Sequence, residues 1–333
     1  MRKVRIIAEA GVNHNGSLEI AKKLAYEAKN AGVDIVKYQT FNVDAITSRY
    51  AELAKYQIEN IGKVKSQKEM LSELTLKEDD YIELNRYCEG IGIQFLSTPF
   101  DIPSVNFLSK FKGWSVWKIP SGEITNYPYL VEIAKTNKEI ILSTGMSTID
   151  EVENAVNVLK DNGADKISLM HCTTQYPTHF DDVNLRAMVT LNEKFGLDVG
   201  YSDHTKGIEV SIAAVAMGAT IIEKHFTLDR TMEGPDHKAS LEPCELKNMV
   251  NSIRHIEKAM GNGIKSPTLS EMENIKIARK SIVALRSIKK GELYSADNIT
   301  TKRPGNGVSP MLWEQIIGTP ATRDFDEDEL IEM

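Results

Sequence analysis

The 333-residue chain has few cysteines, no excess of basic charge and no long apolar run. Its cysteines, Cys88, Cys172 and Cys244, are odd in number and widely spaced, which predicts reduced thiols rather than a disulfide framework. A formal net charge of −7 argues against binding to nucleic acid, which requires a basic face. Because no uninterrupted apolar run reaches about 18 residues, no membrane-spanning helix is expected.

Sequence patterns typical of export and of nucleotide binding are also missing. The N-terminal sequence MRKVRIIAEAG begins directly with a strand-like segment and has no signal-peptide pattern, which predicts a cytoplasmic protein. Neither a Walker loop nor a GxGxxG motif occurs, so a nucleotide or dinucleotide cofactor is not indicated. A hydrophobic content of 41% and a charged content of 26% are typical of a globular protein and not of a disordered one.

The sequence does contain eight short apolar runs, each followed by polar residues. The runs are VRIIAEAG (4–11), DIVKYQT (34–40), IQFLSTPF (93–100), SVWKIPSGE (115–123), EIILSTG (139–145), ISLMHCT (167–173), DVGYSDHT (198–205) and ATIIEKHF (219–226). Their length predicts buried strands, and the stretches between them mostly have helical periodicity. Eight such units predict an α/β fold, a (β/α)8 TIM barrel, whose active site forms at the C-terminal strand ends. Those ends carry Glu9, Lys37, Gln39, Thr98, Lys118, Ser121, Glu123, Ser143, Ser202, His204, Lys224 and His225.

The character of the sequence changes near residue 265. Residues 1–265 are predicted to form the barrel and residues 266–280 a charged helical linker. Residues 281–333 have short strand-like segments and turn signals, which predict a small C-terminal β-rich domain. A segment this small is expected to dock, either on its own barrel or on that of a partner chain. Within the barrel, residues 66–90 are predicted to add a short helix before the regular one.

Two histidines give the strongest metal signal. His204 and His225 end the seventh and eighth predicted strands and are therefore expected on neighbouring strands at one rim. Two imidazoles facing one cavity can bind a divalent first-row metal and leave coordination sites open for water and substrate oxygens. The alternative is that each histidine is separately satisfied by hydrogen bonds. His14, in the first βα loop, is expected to be structural rather than a ligand.

Two lysines lie in otherwise apolar strands. Lys37 in IVKYQT and Lys118 in VWKIPSG must each reach an anion or have a shifted pKa. The hydroxyl residues predicted at the same rim are Thr98, Ser121, Ser143 and Ser202. Ammonium groups and hydroxyls that converge in this way predict a pocket for a small, strongly anionic ligand such as a phosphate with a carboxylate. The alternative is that each lysine reaches solvent and pairs with a neighbouring glutamate.

Carboxylates complete the predicted chemistry. Glu9 and Glu123 end strands, so either can act as a general acid or base or orient a sugar hydroxyl. Asp236 follows the eighth strand in a Gly-Pro loop suited to holding a polyol. Asp203, beside His204, is predicted to orient that histidine.

Three further residues lie at or near the predicted strand ends. Glu223 is expected to point away from the site, into a salt bridge that faces a helix. Two aromatic residues, Phe100 and Tyr176, are candidates for substrate contact, with core packing as the alternative.

Ten motifs in order give the chain a resemblance to a known family. The motifs are IIAEAGVNHNGS, VKYQTF, FLSTPFD, KIPSGEI, ILSTGM, HCTTQYPT, GYSDHT, EKHFTLD, GPDHKAS and TKRPGNG. Together they resemble the bacterial sialic acid synthase family, whose members make nonulosonic acids, and several stretches resemble its legionaminic acid branch at least as closely as its neuraminic acid branch. The resemblance covers essentially the whole chain, and the C-terminal domain is similar to the type III antifreeze protein fold and the SAF domain.

The resemblance implies a metal-dependent transferase. Such enzymes condense phosphoenolpyruvate with the open-chain aldehyde of an N-acylated mannosamine-type sugar, using Mn2+ or Mg2+. C3 of phosphoenolpyruvate attacks the aldehyde carbon, water adds at C2, and phosphate leaves by C–O cleavage. The products are N-acetylneuraminate or the related legionaminic acid, and phosphate.

The resemblance also implies a role for each candidate residue. His204 and His225 would hold the metal. Phosphoenolpyruvate would be bound by Lys37, Lys118, Thr98, Ser121, Ser143 and Ser202. The sugar and the protons would be handled by Glu9, Gln39, Glu123, Phe100, Tyr176 and Asp236. Thr174 stands where some N-acetylneuraminate synthases carry an asparagine that helps to bind phosphoenolpyruvate.

The last implied residue comes from a second subunit. Arg303, in KRPGNG, would reach the sugar's acyl group from the partner's C-terminal domain, in a domain-swapped homodimer. Two other interpretations remain. One is a metal-dependent aldolase or a synthase of 3-deoxy sugar acids acting on another aldose. The other is a catalytically silent scaffold whose small domain binds a carbohydrate or a partner.

Overall fold

The computed structural model describes residues 3–48, 50–51 and 66–333. The chain forms two compact units, a barrel unit that ends at Asn262 and a C-terminal unit over Gly263–Met333. No helix in the described ranges is long and apolar enough to cross a membrane. The three cysteines are free thiols, with Cys88 and Cys172 buried and Cys244 exposed, as the odd count predicted.

The barrel unit is built on eight parallel strands, each within one of the eight predicted apolar runs. They are β1 Arg5–Gly11, β2 Ile35–Thr40, β3 Gln94–Pro99, β4 Val116–Ile119, β5 Glu139–Ser143, β6 Ile167–Cys172, β7 Asp198–Asp203 and β8 Ile221–His225. Their hydrogen-bonded order is β3-β2-β1-β8-β7-β6-β5-β4. Because β3 and β4, the two ends of this order, lie against each other, the sheet is a nearly closed barrel and the TIM-barrel prediction is confirmed.

The helices of the barrel unit follow local capping signals. They are α1 Leu18–Ala31, α2 Val43–Ile46, α3 Gln67–Leu74, α4 Glu78–Ile91, α5 Ile102–Leu108, α6 Tyr127–Ala134, α7 Ile149–Asp161, α8 Arg186–Phe195, α9 Glu209–Ala216 and α10 Pro243–Ala259. Helix α1 begins after Ser17, whose side chain accepts from the Ile20 amide, and ends at Gly32 with φ +86°. A capping box between Ser66 and Glu69 starts α3. Helices α3 and α4 confirm the extra helix predicted within 66–90.

Alternation along the strands separates the barrel floor from the polar rim. One apolar layer fills the bottom of the barrel, and its members are Ile7, Ile35, Leu96, Val116, Ile141, Met170 and Ile221. Side chains two positions apart on a strand share a face. The residues two positions after this layer therefore also point inward, one layer higher. They are Glu9, Lys37, Thr98, Lys118, Ser143, Cys172 and Glu223.

The C-terminal unit has its own small core. Helix α11 (Leu269–Ala278) precedes the antiparallel strands β9 (Ser281–Ala284) and β10 (Ile299–Lys302), and a short helix α12 (Trp313–Ile316) follows. Its buried apolar residues are Ile282, Ala284, Ile288, Tyr294, Ile299, Ile316, Ala321, Phe325 and Ile331. Turns and short segments join these elements, so this unit has little regular helix or sheet around its core.

Candidate active site

The C-terminal ends of the barrel strands enclose a cavity of about 390 Å³. Of the residues predicted for the site in the barrel unit, all but Lys224 line it: Glu9, Lys37, Gln39, Thr98, Phe100, Lys118, Ser121, Glu123, Ser143, Thr174, Tyr176, Ser202, His204, His225 and Asp236. The remaining predicted residue, Arg303, lies in the C-terminal unit, where its exposed side chain donates to the Ala278 carbonyl over 3.1 Å. The barrel thus brings together in one place residues that are far apart in sequence.

At the centre of the cavity is a buried group of four charges, Glu9, Lys37, Lys118 and Glu223, here called the inner charge network. The Lys37 ammonium lies 2.6 Å from Glu9 Oε2 and 3.7 Å from Glu223 Oε2, and Lys118 lies 3.1 Å from Glu223 Oε1. Each of these side chains is at most 5% exposed, so solvent does little to screen them. The two lysines therefore point at one small volume.

The position of Glu223 corrects the prediction that it faces a helix outside the barrel. Glu223 follows the floor residue Ile221 by two positions and precedes inward-facing His225 by two, so it must point inward. Its Oε1 accepts from Lys118 and, over 3.1 Å, from Ser202. Glu223 is the central anion of the site, and sequence reasoning missed it although the same alternation placed its neighbour His225 correctly.

Lys224 and Asp203, the alternate residues of β8 and β7, point the other way. The two side chains form an ion pair of 3.0 Å, both fully buried outside the barrel lumen. Lys224 was predicted at the rim and Asp203 was predicted to orient His204, and both predictions are wrong for the same reason of alternation. Asp203 instead accepts from Thr205 and Ser211, and Lys224 donates to the Thr205 carbonyl. We call Asp203, Thr205, Ser211 and Lys224 the outer charge network.

The pKa values of the two carboxyls in the inner charge network are shifted in opposite directions. Burial raises the pKa of Glu9 to about 7, against the opposing attraction of Lys37. For Glu223, burial also raises the pKa, but the attraction of Lys118 and Lys37 outweighs it and lowers the pKa to about 2. Burial likewise raises the pKa of Asp236 to about 6. A permanent anion therefore lies close to a carboxyl that titrates near neutral pH.

The two predicted metal ligands face each other across the cavity. The rings of His204 and His225 lie 5.4 Å apart between centroids. His204 Nδ1 lies 2.7 Å from the Thr173 carbonyl, which can only accept, so Nδ1 carries the proton and the lone pair is on Nε2. Burial lowers the pKa of His204 to about 4, and burial together with His204 lowers the pKa of His225 well below its usual range. Both imidazoles are neutral at pH 7, as metal ligands must be.

A further observation supports a metal at these imidazoles. Among the described residues, His225 Nδ1 is a buried polar atom without a hydrogen-bond partner, 3.7 Å from Asp236 Oδ2. The carbonyl on His204 Nδ1 is the outer contact that orients a metal-binding histidine. Within the described part of the chain no group of three or more His, Cys, Asp or Glu side chains is arranged around one ion. The residues fit a metal with two protein ligands and open positions.

Two of the hydroxyl residues have hydrogen bonds that fix their positions, Ser121 with the backbone at Gly145 and Thr98 with Lys37. Ser121 Oγ accepts from the Gly145 amide over 2.9 Å and lies 3.2 Å from Cys172 Sγ. A Cβ on Gly145 would lie 2.6 Å from Thr174 Oγ1 and 2.8 Å from Ser121 Oγ, so only glycine allows this approach. The Thr98 hydroxyl accepts from Lys37 over 3.0 Å. These contacts place neutral hydrogen-bonding groups beside the lysines.

Side chains around the mouth add carboxylate, amide and aromatic groups. Gln39 Nε2 donates to Glu9 Oε1 over 3.1 Å, and Glu123 Oε2 accepts from the side-chain Nδ2 of Asn126 over 2.6 Å. The Tyr176 ring lies 4.2 Å from that of His204 and 5.4 Å from that of His225. Such groups can bind the hydroxyls and the ring of a polar organic substrate.

One side of the cavity was not predicted, apart from Phe100. It is apolar, is formed by residues of the β1 and β3 loops and of α2 and α3, and we call it the apolar wall: Val12, Ile46, Met70, Leu71, Leu74 and Phe100. Thr47 and Gln67 line the cavity beside it. Sequence patterns predicted helix α3 but carried no signal for its position over the strand ends.

The cavity combines three chemical capacities. Lys37 and Lys118, with nearby hydroxyls, can bind an anion with several oxygens. The neutral imidazoles of His204 and His225 can hold a divalent metal that polarises an oxygen. Glu9, with a pKa near 7, can exchange a proton at neutral pH. These capacities suit the joining of an anionic substrate to a carbonyl compound.

Known proteins share both the sequence and the fold. Residues 24–265 match the NeuB family model, and residues 279–333 match the SAF domain. The chain is similar to N,N'-diacetyllegionaminic acid synthase of Campylobacter jejuni, with 55% identity over 99% of each chain. It is also similar to the protein of that name from Legionella pneumophila, with 46% identity over 94% of this chain and 89% of the other. A solved N-acetylneuraminic acid (sialic acid) synthetase of Leptospira borgpetersenii, in complex with citrate, matches with 36% identity and a TM-score of 0.72 over 82% of this chain and 90% of the other.

These matches confirm the family resemblance drawn from the ten motifs. The family model covers most of the barrel unit, and the relatives from Campylobacter and Legionella align with nearly the whole chain. The predicted similarity of the C-terminal domain to the SAF domain is confirmed as well. The chain therefore belongs to the NeuB family and carries a SAF domain at residues 279–333.

Proposed function

We propose that this protein is a nonulosonic acid synthase. It condenses phosphoenolpyruvate with an open-chain N-acylated mannosamine-type sugar and water, and releases a nonulosonic acid and phosphate. The observation that carries the proposal is the convergence of Lys37 and Lys118 beside the neutral imidazoles of His204 and His225. The names of the relatives, legionaminic acid and sialic acid synthases, support it.

The reaction forms one C–C bond and breaks one C–O bond. C3 of phosphoenolpyruvate attacks the aldehyde carbon of the sugar, whose oxygen becomes the new hydroxyl and gains a proton. Water adds at C2, and the bond between C2 and the bridging oxygen breaks, so phosphate carries that oxygen away. Of the two protons of the added water, one balances the proton gained by the new hydroxyl and the other leaves with the phosphate, so C2 becomes the keto group of a 2-keto acid. This keto acid then closes to its cyclic hemiketal.

The lysines bind the phosphate and the carboxylate of phosphoenolpyruvate. Glu223 holds the Lys118 and Lys37 ammonium groups in place, so the incoming anion meets charges that are already aligned. The hydroxyl groups that complete this subsite belong to Thr98, Ser121, Ser143, Thr174 and Ser202. Alignment before binding is what makes such contacts effective in the transition state.

The sugar occupies the rest of the cavity. Its hydroxyls are bound by Gln39, Glu123, Tyr176 and Asp236, and Phe100 contacts its apolar face. Glu9 lies beside the Lys37 ammonium and exchanges the proton of the new hydroxyl or of the added water, since its pKa of about 7 permits both protonation states. His204 and His225 hold the metal, Mn2+ or Mg2+. When bound there, the ion supplies polarisation of the sugar aldehyde.

The C-terminal unit is proposed to act in trans. We assign residues 1–265 to the synthase barrel, 266–280 to the linker and 281–333 to the antifreeze-like domain, and place Arg303 of one chain against the sugar's acyl group in a domain-swapped homodimer. The exposed guanidinium of Arg303 supports this role, as do the exposed apolar residues Leu269 and Met272 on α11. The reaction belongs to the cytoplasm, where phosphoenolpyruvate is made and free thiols stay reduced.

Mixing two inactive variants tests the shared site. A His204→Ala chain has an intact C-terminal domain and an Arg303→Ala chain has an intact barrel. Co-refolded mixtures regain up to one working site per mixed dimer if Arg303 acts in trans. No recovery above the sum of the two separate variants would mean that Arg303 acts within its own chain.

A phosphate-release assay tests the reaction itself. Phosphoenolpyruvate labelled with 18O at the bridging oxygen is offered with N-acetylmannosamine, 2,4-diacetamido-2,4,6-trideoxymannose or arabinose 5-phosphate. A nonulosonic acid synthase releases labelled phosphate with one of the first two sugars. Release only with arabinose 5-phosphate would indicate a 3-deoxy sugar acid synthase, and C–C bond formation from pyruvate without phosphate release would indicate an aldolase.

A further inference from the structure

Cys172 is a buried side chain of the cavity that has no part in the reaction proposed above. It lies at the end of β6, lines the cavity and is 6% exposed. It faces Gly145, in the loop after β5, where a Cβ would lie 2.9 Å from Cys172 Sγ and 2.8 Å from Ser121 Oγ. The thiol and the Ser121 hydroxyl therefore meet over a backbone position that lacks the space for any side chain.

The hydroxyl oxygen of Ser121 has two neighbours that can donate to it. The Gly145 amide donates to Ser121 Oγ over 2.9 Å, and Cys172 Sγ lies 3.2 Å from the same oxygen. Within the described ranges, Ser121 Oγ is the only acceptor that a hydrogen bond of this thiol reaches. Because a hydroxyl oxygen has two lone pairs, the amide and the thiol together can fill its capacity to accept.

Two arrangements of the protons satisfy these distances. In one, the Ser121 hydroxyl donates to the sulfur, which is a weak acceptor. In the other, the thiol donates to Ser121 Oγ, and the hydroxyl proton points away from both the sulfur and the Gly145 amide. Burial raises the pKa of the Cys172 thiol, against the opposing hydrogen bond with Ser121, so the thiol keeps its proton at neutral pH and can donate.

An anion in the cavity selects the second arrangement. Ser121 lines the same cavity as Lys37 and Lys118, the two ammonium groups that attract such a ligand. Anionic oxygens accept hydrogen bonds far more strongly than sulfur does, so the Ser121 proton turns to the anion and the thiol proton turns to Ser121. Hydrogen bonds in a chain polarise one another, which makes the Ser121 hydroxyl a stronger donor.

We propose that Cys172 is a positioning residue for phosphoenolpyruvate. Its thiol, together with the Gly145 amide, occupies both lone pairs of Ser121 Oγ and so commits the Ser121 hydroxyl proton to the bound anion. This inference rests on the proposed function, because it takes the anion to be phosphoenolpyruvate. Cys172 acts through Ser121 and does not itself bind the substrate.

A double-mutant cycle between Cys172 and Ser121 tests this role. The four full-length proteins are the wild type, Cys172→Ala, Ser121→Ala and the double variant, and the quantity measured is kcat/KM for phosphoenolpyruvate from phosphate release. Cys172→Ala should lower it roughly fivefold in the wild-type background, the effect of one hydrogen bond between neutral groups. In the Ser121→Ala background the same substitution should change it by less than about twofold, because the hydroxyl through which the thiol acts is gone.

A binding measurement gives the same cycle where a variant turns over too slowly. Calorimetric titration of the four proteins with phosphoenolpyruvate, without the sugar, yields its dissociation constant, in which the same coupling should appear. Cys172→Ser keeps a donor on a slightly shorter side chain and should lose less affinity for phosphoenolpyruvate than Cys172→Ala. The KM for the sugar should change much less than that for phosphoenolpyruvate, since Ser121 belongs to the phosphoenolpyruvate subsite.

Cys88 provides a matched control for the loss of a buried thiol. It is fully buried in α4, packs in the apolar core of the barrel unit and does not line the cavity. Cys88→Ala should lower the temperature of thermal unfolding and leave kcat/KM for phosphoenolpyruvate unchanged. Thermal unfolding of the Cys172 and Ser121 variants shows whether their fold is intact.

The remaining outcomes separate the role of Cys172 from the reaction. Equal losses from Cys172→Ala in both backgrounds would mean that the thiol does not act through Ser121. No loss from Cys172→Ala, or an equal loss from Cys172→Ser, would mean that no donor is needed at this position. Each of these results overturns the role of Cys172 while wild-type phosphate release upholds the proposed function. If the wild-type protein neither binds phosphoenolpyruvate nor releases phosphate from it, the proposed function fails and the role of Cys172 fails with it.

Discussion

The barrel contains two buried charge networks that have neighbouring residues of strand β8 as members. The inner charge network includes Glu223, and the outer one includes its sequence neighbour Lys224. Both contain lysines paired with carboxylates at about the same distance, 3.1 Å for Lys118 with Glu223 and 3.0 Å for Lys224 with Asp203. Residue type and burial therefore do not distinguish a site from a structural contact in this protein.

The two networks differ in how many of their buried polar atoms have a hydrogen-bond partner. In the outer network, Asp203 Oδ1 accepts from Thr205 Oγ1 over 2.7 Å, Oδ2 accepts from Ser211 Oγ over 2.7 Å, and Lys224 donates to the Thr205 carbonyl over 2.6 Å. In the cavity, within the described ranges, Glu223 Oε2 and His225 Nδ1 have no hydrogen-bond partner. Among the described residues, the inner network and its neighbour His225 thus have buried polar atoms without a hydrogen-bond partner, whereas the four side chains of the outer network have none.

Removing an imidazole from the cavity should have the largest effect on activity. His204→Ala or His225→Ala should abolish phosphate release, and chelation of the wild-type protein should do the same, because the aldehyde then loses the polarising metal. Thermal unfolding should stay near the wild-type value, since neither imidazole supports the core. Full activity of either variant after metal stripping would refute the assignment of these ligands.

The next largest effect should be on stability, in the outer charge network. Lys224→Met leaves Asp203 buried without its counter-ion, which should lower the free energy of unfolding by about 3–5 kcal/mol. The protein that stays folded should keep its wild-type kcat, because neither side chain lines the cavity. Denaturant unfolding and active-site-normalised kinetics measure the two quantities.

A second substitution sharpens this test. The double variant Asp203→Asn with Lys224→Met removes both charges and should be more stable than Lys224→Met alone, because no unpaired charge remains buried. A double variant that is less stable by the sum of the two single effects would show that the ion pair itself contributes little.

Lys118→Ala, in the inner charge network, should impair activity more than stability, which is the reverse of the effect expected for Lys224→Met. Loss of a charge-assisted contact to phosphoenolpyruvate should raise the transition-state free energy by about 2–4 kcal/mol, seen as a lower kcat/KM for phosphoenolpyruvate, with a much smaller change for the sugar. Stability should change less than in Lys224→Met. Lys206→Ala, an exposed lysine beyond β7, is the control. An unchanged kcat and KM for phosphoenolpyruvate would reassign Lys118 to a structural role.

Alternation of side chains explains both the success and the failure of prediction from sequence. The apolar runs gave the eight strands because buried parallel strands are apolar on both faces. The run IIEKH has polar residues on both faces, so polarity alone cannot say which of Glu223 and Lys224 faces inward. Knowing that His225 faces inward would have settled it, since residues 223 and 225 share a face.

The apolar wall could not be predicted in the same way. Met70 and Leu71 belong to a helix whose existence follows from its capping box, but whose position depends on packing between Val12, Phe41 and the helix itself. Local periodicity carries no information on such contacts between distant segments. Strand side chains were therefore predicted well except at Asp203, Glu223 and Lys224, and those that belong to the insertion after β2 were not predicted.

The smallest expected effect is on the pH dependence of the free energy of unfolding. It tests whether the Glu9 carboxyl is neutral or ionised in the folded protein below pH 7. The pKa of Glu9 is raised from 4.5 to about 7 in the folded protein, with burial as the main cause. Between these two values the folded state binds more protons than the unfolded state, so the contribution of Glu9 to stability is full below pH 4.5 and is lost as the pH rises toward 7.

Glu9→Gln keeps the shape of the neutral side chain and removes its titration. The difference in unfolding free energy, wild type minus Glu9→Gln, should therefore fall over this range and be flat outside it. Groups that titrate in both proteins, His204 among them, largely cancel in this difference. Denaturant unfolding of both proteins at several pH values gives the curve. A difference that rises with pH would mean that Lys37 outweighs burial and that Glu9 is a permanent anion, like Glu223.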